Sequence, residues 1–280
     1  LNLERWYGLF ESYEDKIFLG TSVRDIEKAK QINKTAIFFG FQNPSPIEDD
    51  IGLIEIWYNL GIRFMQLTYN NQSLLASGCY ETNDMGLSRM GLEVIKEMNR
   101  LGMLIDMSHS SELSTLEAID KSQVPIVISH ANASFWHPAK RNKSKTVLEA
   151  LSKNDGMIGF SLYPHHLENG SNCTLLSFCQ MIYDCAEIMG IDALGIGSDL
   201  CQDQPDSVVR WMRNGRWTKT LDYGEGSKDL AGFPKMPLWF QGNCDFPALA
   251  KGLLEVGFNK LEVSNIMGNN WFKFFEKTIG

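Results

Sequence analysis

Seven short runs rich in β-branched and aromatic residues recur along the chain, at 16–22, 35–42, 63–69, 103–109, 125–131, 156–164 and 193–200. Between most of them lie stretches with apolar residues three and four apart, such as SVRDIEKAKQ, GLEVIKEMNRLG and LLSFCQMIYDCAEIMG, and several close on glycine as helix C-termini do. Strands that are apolar on both faces need a cover on both sides. Strands separated by helices run parallel, because the helix carries the chain back to its starting edge. The pattern therefore predicts an α/β chain on a parallel sheet, a TIM-type (β/α)8 barrel formed as one domain over residues 1–280. Seven runs are one short of eight. Leu3 to Tyr13 reads as a helix that follows a strand, so the first strand is expected upstream of Leu1. An open doubly wound sheet is the other architecture this alternation allows, but no strand-to-helix turn carries a GxGxxG pattern.

In a parallel barrel the residues that end the strands emerge on one face, where sites are built. The run ends are Gln42, Tyr69, His109, His130, Tyr163 and Asp199, with Arg141 in the loop behind His130. Two consecutive runs stop on Ser-His, in LIDMSH and PIVISH, which delivers two imidazoles to neighbouring positions. With the acid that ends GIGSD they have the makings of a zinc half-site. Each residue alone has a plainer use: a loop histidine, an N-capping aspartate at 199, a surface charge at 141.

The chain carries 26 Lys and Arg against 34 Asp and Glu, a net charge of −8, so it lacks the basic excess that nucleic acid or an anionic membrane surface requires. A small-molecule partner fits better. Six cysteines without a CxxC pair read as free thiols rather than a disulfide framework. No apolar window is long enough for a membrane span, and the charged opening LNLERWYGLFESYEDK is no signal peptide, so a soluble, cytoplasmic protein is expected. The chain opens on Leu rather than Met, which leaves any earlier residues out of view.

These residues resemble the membrane (renal) dipeptidases of the amidohydrolase superfamily. The resemblance runs from about Ile17 to Phe275 and rests on IDMSHSS, ISHANAS followed by KRN, GIGSD, and the closing IMGNNWFKFF. Its spacings are 21 residues from His109 to His130, 11 more to Arg141, and 69 from His130 to Asp199. The resemblance implies His109 and His130 as zinc ligands and Arg141, beside Asn142, as the holder of a substrate carboxylate. It implies Asp199 as the acid that takes the proton of the attacking water and passes it to the leaving amine. A planar guanidinium fork suits a free carboxylate, which favours dipeptides or similar small amides.

Two positions depart from the family pattern. Where the family has a glutamate that bridges two metals, this chain has Gln42, in the GFQN reading also found in divergent bacterial members. An amide is a poorer metal ligand and cannot offset the repulsion of two dications, so one zinc ion is expected more readily than two. Where the family has a substrate-contacting histidine, Tyr69 stands; a phenol still donates to a developing oxyanion but does not become a cation. The family's His-x-Asp pair belongs to the first strand, expected before Leu1. His165 and His166, adjacent in LYPHHLENG, read as loop residues of which at most one reaches a site. GCYETND places Cys79 and Glu81 in a long loop, with no partner for a cysteine nucleophile visible. The aromatic stretch from Gln202 to Lys235, with Trp211, Trp217 and Tyr223, reads as a lid or a subunit contact compatible with a homodimer. Three functions fit: a metal-dependent dipeptidase-like hydrolase, a divergent relative with one metal or none and another substrate, and a silent small-ligand-binding protein.

Overall fold

The computed structural model describes residues 2–201, 204–214, 219–220, 226–229 and 231–279. Helix α1 (Asn2–Ser12) leads into β1 (Ile17–Gly20), α2 (Val23–Gln31), β2 (Thr35–Phe41), α3 (Gly52–Asn59), β3 (Ile62–Gln66), α4 (Arg89–Leu101) and β4 (Leu104–Asp106). The alternation continues with α5 (Glu112–Lys121), β5 (Val127–Ala131), α6 (Lys145–Lys153), β6 (Met157–Phe160), α7 (Leu175–Met189) and β7 (Leu194–Ile196). Among the described residues the α-helices α8 (Asp206–Asn214), α9 (Phe246–Glu255), α10 (Lys260–Ser264) and α11 (Asn270–Thr278) follow. The strands form one parallel sheet in chain order, β1 through β7. This is an α/β fold, and no described helix is long and apolar enough to cross a membrane.

Each expected run holds one strand, but the strands are shorter than the runs. β3 stops at Gln66 rather than Tyr69, because the Thr68 hydroxyl turns to the Asn71 carbonyl. β4 stops at Asp106, whose Oδ1 accepts the Ser108 N–H at 3.0 Å and bends the chain out of the ladder. This corrects the picture of two strands that both end on Ser-His. His109 sits in a turn three residues beyond β4, whereas His130 lies inside β5. Helix ends follow local chemistry. Ser88 Oγ accepts the Gly91 N–H at 3.0 Å to cap α4, and Gly102, at φ 73°, closes it in the left-handed region that glycine tolerates.

Contacts divide the chain into two compact units, Leu1–Ser129 with Glu149–Met157 and Asn269–Gly280, and His130–Leu148 with Ile158–Gly268. In the first unit Leu104, Val127, Met157 and Phe274 form a buried apolar layer, with Phe64, Trp271 and Phe275 packed against it. Each such side chain contributes about 1.5–3 kcal/mol when fully buried. Strand side chains alternate faces, so two residues along from Phe64, Leu104 and Val127 the same face presents Gln66, Asp106 and Ser129. A polar layer thus lies on the apolar one, towards the strands' C-terminal ends. In the second unit α7 packs on α9, and Phe178, Cys179 and Ile182 of α7 and Leu249 and Leu253 of α9 are buried. Gly252 permits this approach: a Cβ there would lie 2.7 Å from Cys179 Sγ.

Candidate active site

The polar layer of the first unit is built around Asp106, only 4% exposed. Its Oδ1 accepts the backbone N–H of Ser108 at 3.0 Å and of Ser129 at 3.1 Å, and both serine hydroxyls also donate to the carboxylate. This clamp fixes the turn that carries His109. The His109 N–H donates to Gln66 Oε1 at 3.3 Å, and the Gln66 amide nitrogen is buried without a hydrogen-bond partner. The Tyr69 ring stacks on the His109 imidazole with centroids 4.0 Å apart and planes at 23°. On the ring's edge Nδ1 lies 2.7 Å from Asn70 Oδ1. Gln42, by contrast, follows the last residue of β2 and is exposed.

The second unit holds His130, Arg141, Asn142 and Asp199. His130 is buried and its Nε2 faces Asp199 Oδ1 at 3.9 Å, too long for a hydrogen bond between those two atoms. Burial above all, then the positive charges of Arg141, His166 and Lys143, holds His130 well below the ordinary imidazole value. It is a neutral imidazole at neutral pH. Asp199, at φ 52°, adopts the left-handed conformation that aspartate tolerates better than most residues. It opens onto a pocket of about 220 Å³ that Tyr163, Phe233, Pro234, Met236 and Gln241 also line.

Arg141 is not a surface charge: it is 1% exposed, and its Nη2 donates to the His130 carbonyl at 3.3 Å. Asn142, expected beside it at the substrate, has its amide engaged with backbone instead. Oδ1 accepts the Asn132 N–H at 3.0 Å, and Nδ2 donates to the carbonyls of His137 and His166 at 2.8 and 3.0 Å. Of the adjacent pair, His166 is the buried one, its Nδ1 3.0 Å from Ser161 Oγ. Part of the Gln202–Lys235 stretch, including Trp217 and Tyr223 and the side chain of Trp211, lies outside the described residues.

Asp106, Asn70 and Asn132 are the polar residues that sequence reasoning passed over. Asp106 had a signal, a charge inside an otherwise apolar run, whereas the two asparagines sit in loops where asparagine is ordinary. None of the six cysteines forms a disulfide. Burial pushes Cys173, Cys179 and Cys185 up to about 12, so none of these three supplies a thiolate. Among the described residues no three His, Cys, Asp or Glu side chains gather as a metal-holding group. The donor chemistry of the individual histidines does fit a divalent cation. His130 is neutral, and a neutral imidazole is a common ligand of divalent cations.

Comparison with known proteins narrows what these residues belong to. A family model described as membrane dipeptidase (peptidase family M19) matches residues 2–211. The chain is 25% identical over 265 residues to the dipeptidase tcpJ of Claviceps purpurea, covering 94% of this chain and 55% of that protein. It is 29% identical over 197 residues to the dipeptidase verJ of Clonostachys rogersoniana, covering 69% and 50%. It therefore spans about half the length of these curated relatives. Among solved structures, an amidohydrolase from Pseudomonas aeruginosa is 32% identical and superposes with a TM-score of 0.93 over 100% of this chain and 84% of that one. A metallo peptidase from Rhodobacter sphaeroides, liganded with a phosphinate mimic of L-Ala-D-Ala, is 16% identical with a TM-score of 0.82 over 98% and 72%, and shares the fold. With three quarters of its length matched by the family model and a solved relative aligned along all of it, this chain belongs to the membrane dipeptidase family, peptidase family M19.

Proposed function

We propose that the chain carries a divergent dipeptidase-type hydrolytic site that takes one divalent cation, zinc by preference, and acts on a small amide with a free carboxylate. His109 and His130 are metal ligands in this reading. Bound there, the cation supplies Lewis acidity to a water and to the scissile carbonyl. Asp199 accepts a proton from the attacking water and returns it to the leaving amine. Arg141 pairs the substrate carboxylate, Asn142 holds the backbone around Arg141, and the Tyr69 hydroxyl donates to the developing oxyanion.

The observation that carries this reading is the pairing of the neutral His130 Nε2 with the Asp199 carboxylate at 3.9 Å beside a pocket, in a chain of this family. Gln42 argues for one cation rather than two, since an exposed neutral amide offers no bridging charge. We propose on the same residue a kinship with divergent bacterial members that share it. We further propose that residues 1–280 belong to one (β/α)8-type domain. An ordinary two-zinc dipeptidase is the second reading, favoured by the dipeptidase names of the curated relatives.

Metal content of protein purified without chelator, measured with hydrolysis of a dipeptide panel, tests both readings. About one zinc per chain with chelator-sensitive turnover is the expected result. Two zincs per chain favour the second reading. No metal, together with no turnover after zinc addition, refutes both. His130→Ala should abolish metal retention and turnover together.

A further inference from the structure

His109 is held from several sides by one loop, and the contacts specify its proton position. Asn70 Oδ1 lies 2.7 Å from His109 Nδ1, and the Cys79 thiol donates to that same oxygen at 3.5 Å. A side-chain amide has an oxygen end and a nitrogen end; in the structure the oxygen end faces this cluster, where the thiol can donate to it. An oxygen acceptor at 2.7 Å requires a proton on Nδ1. The neutral ring then carries its lone pair on Nε2.

The rest of the loop serves this contact. The Cys79 N–H donates to the His109 carbonyl at 2.9 Å, and the Tyr80 N–H donates to the Asn70 carbonyl at 2.9 Å. Gly78 bridges Ser110 in antiparallel fashion, and a Cβ at Gly78 would lie 2.2 Å from the Asn70 carbonyl oxygen, so only glycine lets the two loop segments come this close. Glu81 Oε1 accepts the Gln72 N–H at 2.6 Å, which ties the loop's far side to the segment after Asn70. Tyr69 covers the ring face. The loop containing Cys79 and Glu81, which has no catalytic partner in sequence, thus has a structural object: the imidazole of His109.

We propose that Asn70, backed by Cys79 and made possible by Gly78, is a positioning residue that fixes His109 as the Nδ1–H tautomer and aims a basic Nε2 at a metal cation. The metal part rests on the function proposed above; the tautomer does not. Groups that accept the second N–H of a metal-binding histidine orient the ring and raise its basicity, and their loss typically weakens metal binding about 10–100-fold.

Chelator-stripped, ¹⁵N-labelled protein provides the test, with long-range ¹H–¹⁵N correlation spectra identifying the tautomer of each of the five histidines. His109, assigned by loss of its signals in His109→Gln, should show the Nδ1–H pattern in the wild type. Asn70→Leu should lose that pattern and bind Zn²⁺ about 10–100-fold more weakly in competition with a chelating dye. Asn70→Asp keeps an oxygen acceptor and should retain both pattern and affinity. An Nε2–H pattern in the wild type overturns the inference and needs no variant to fold. So does an Asn70→Leu protein with unchanged tautomer and unchanged zinc affinity. A wild type that shows the Nδ1–H pattern yet binds no zinc supports the tautomer assignment and removes the metal reading instead.

Discussion

At the scale of single residues, Arg141 makes the sharpest claim. A guanidinium that is 1% exposed and bonded to the His130 carbonyl lies out of water, and in the proposed site its fork pairs the substrate carboxylate. Arg141→Lys keeps the charge but loses the fork, so KM for substrates with a free carboxylate should rise about tenfold to a hundredfold, as expected for a charged hydrogen bond of about 1.5–3 kcal/mol. The change in kcat should be smaller, and a substrate amidated at its C-terminus should show little difference between the two enzymes. Equal losses on both substrates would take the carboxylate role away from Arg141. The positions proposed for the site, His109, His130, Arg141 and Asp199, were singled out in the sequence by the strand ends and by the family resemblance. Their settings were not. That Asn142 spends its amide on backbone, or that Asp106 clamps two serines, depends on which atoms the fold brings within 3 Å, and no local pattern encodes that.

At the scale of elements, α2 shows how a capping carboxylate makes a helix start sensitive to acid. Asp25 Oδ2 accepts the N–H groups of Thr21 and Ser22 at 2.8 and 3.0 Å, with both hydroxyls close by. Burial pushes this carboxyl upward, but those hydrogen bonds outweigh it and hold its pKa below the ordinary value. A carboxyl lowered in the folded state contributes stability above its unfolded pKa of about 3.9, and loses it as pH falls through the folded value. Asp25→Asn should therefore cost about 1 kcal/mol near pH 7, a typical figure for a cap, and the deficit in urea titrations should shrink below about pH 4. A deficit constant across that range would show that the charge is irrelevant. The order and kind of elements were readable because apolar runs and helical spacings alternate without interruption. Strand ends were not, because the residues that stop β3 and β4, Thr68 and Asp106, lie within the runs and act through side-chain bonds to backbone.

At the scale of the whole molecule, a ligand that binds only the folded chain raises its stability by mass action. Zinc at a hundred times its Kd should add about 2.7 kcal/mol, and Tm should rise by several degrees; His130→Ala should abolish the rise. An unchanged Tm across a zinc titration of the wild type would count against any tight metal site. The first compact unit also constrains how the chain comes to be folded. Its apolar layer joins Leu104, Val127 and Met157 to Phe274, which is more than half the chain's length from Leu104. A nascent polypeptide that has left the ribosome only through β6 has made three of these side chains but not the one that packs over them. Until α11 emerges, that apolar surface stays open to water, to chaperones and to other unfinished chains, and synthesis itself becomes the slow step in closing it.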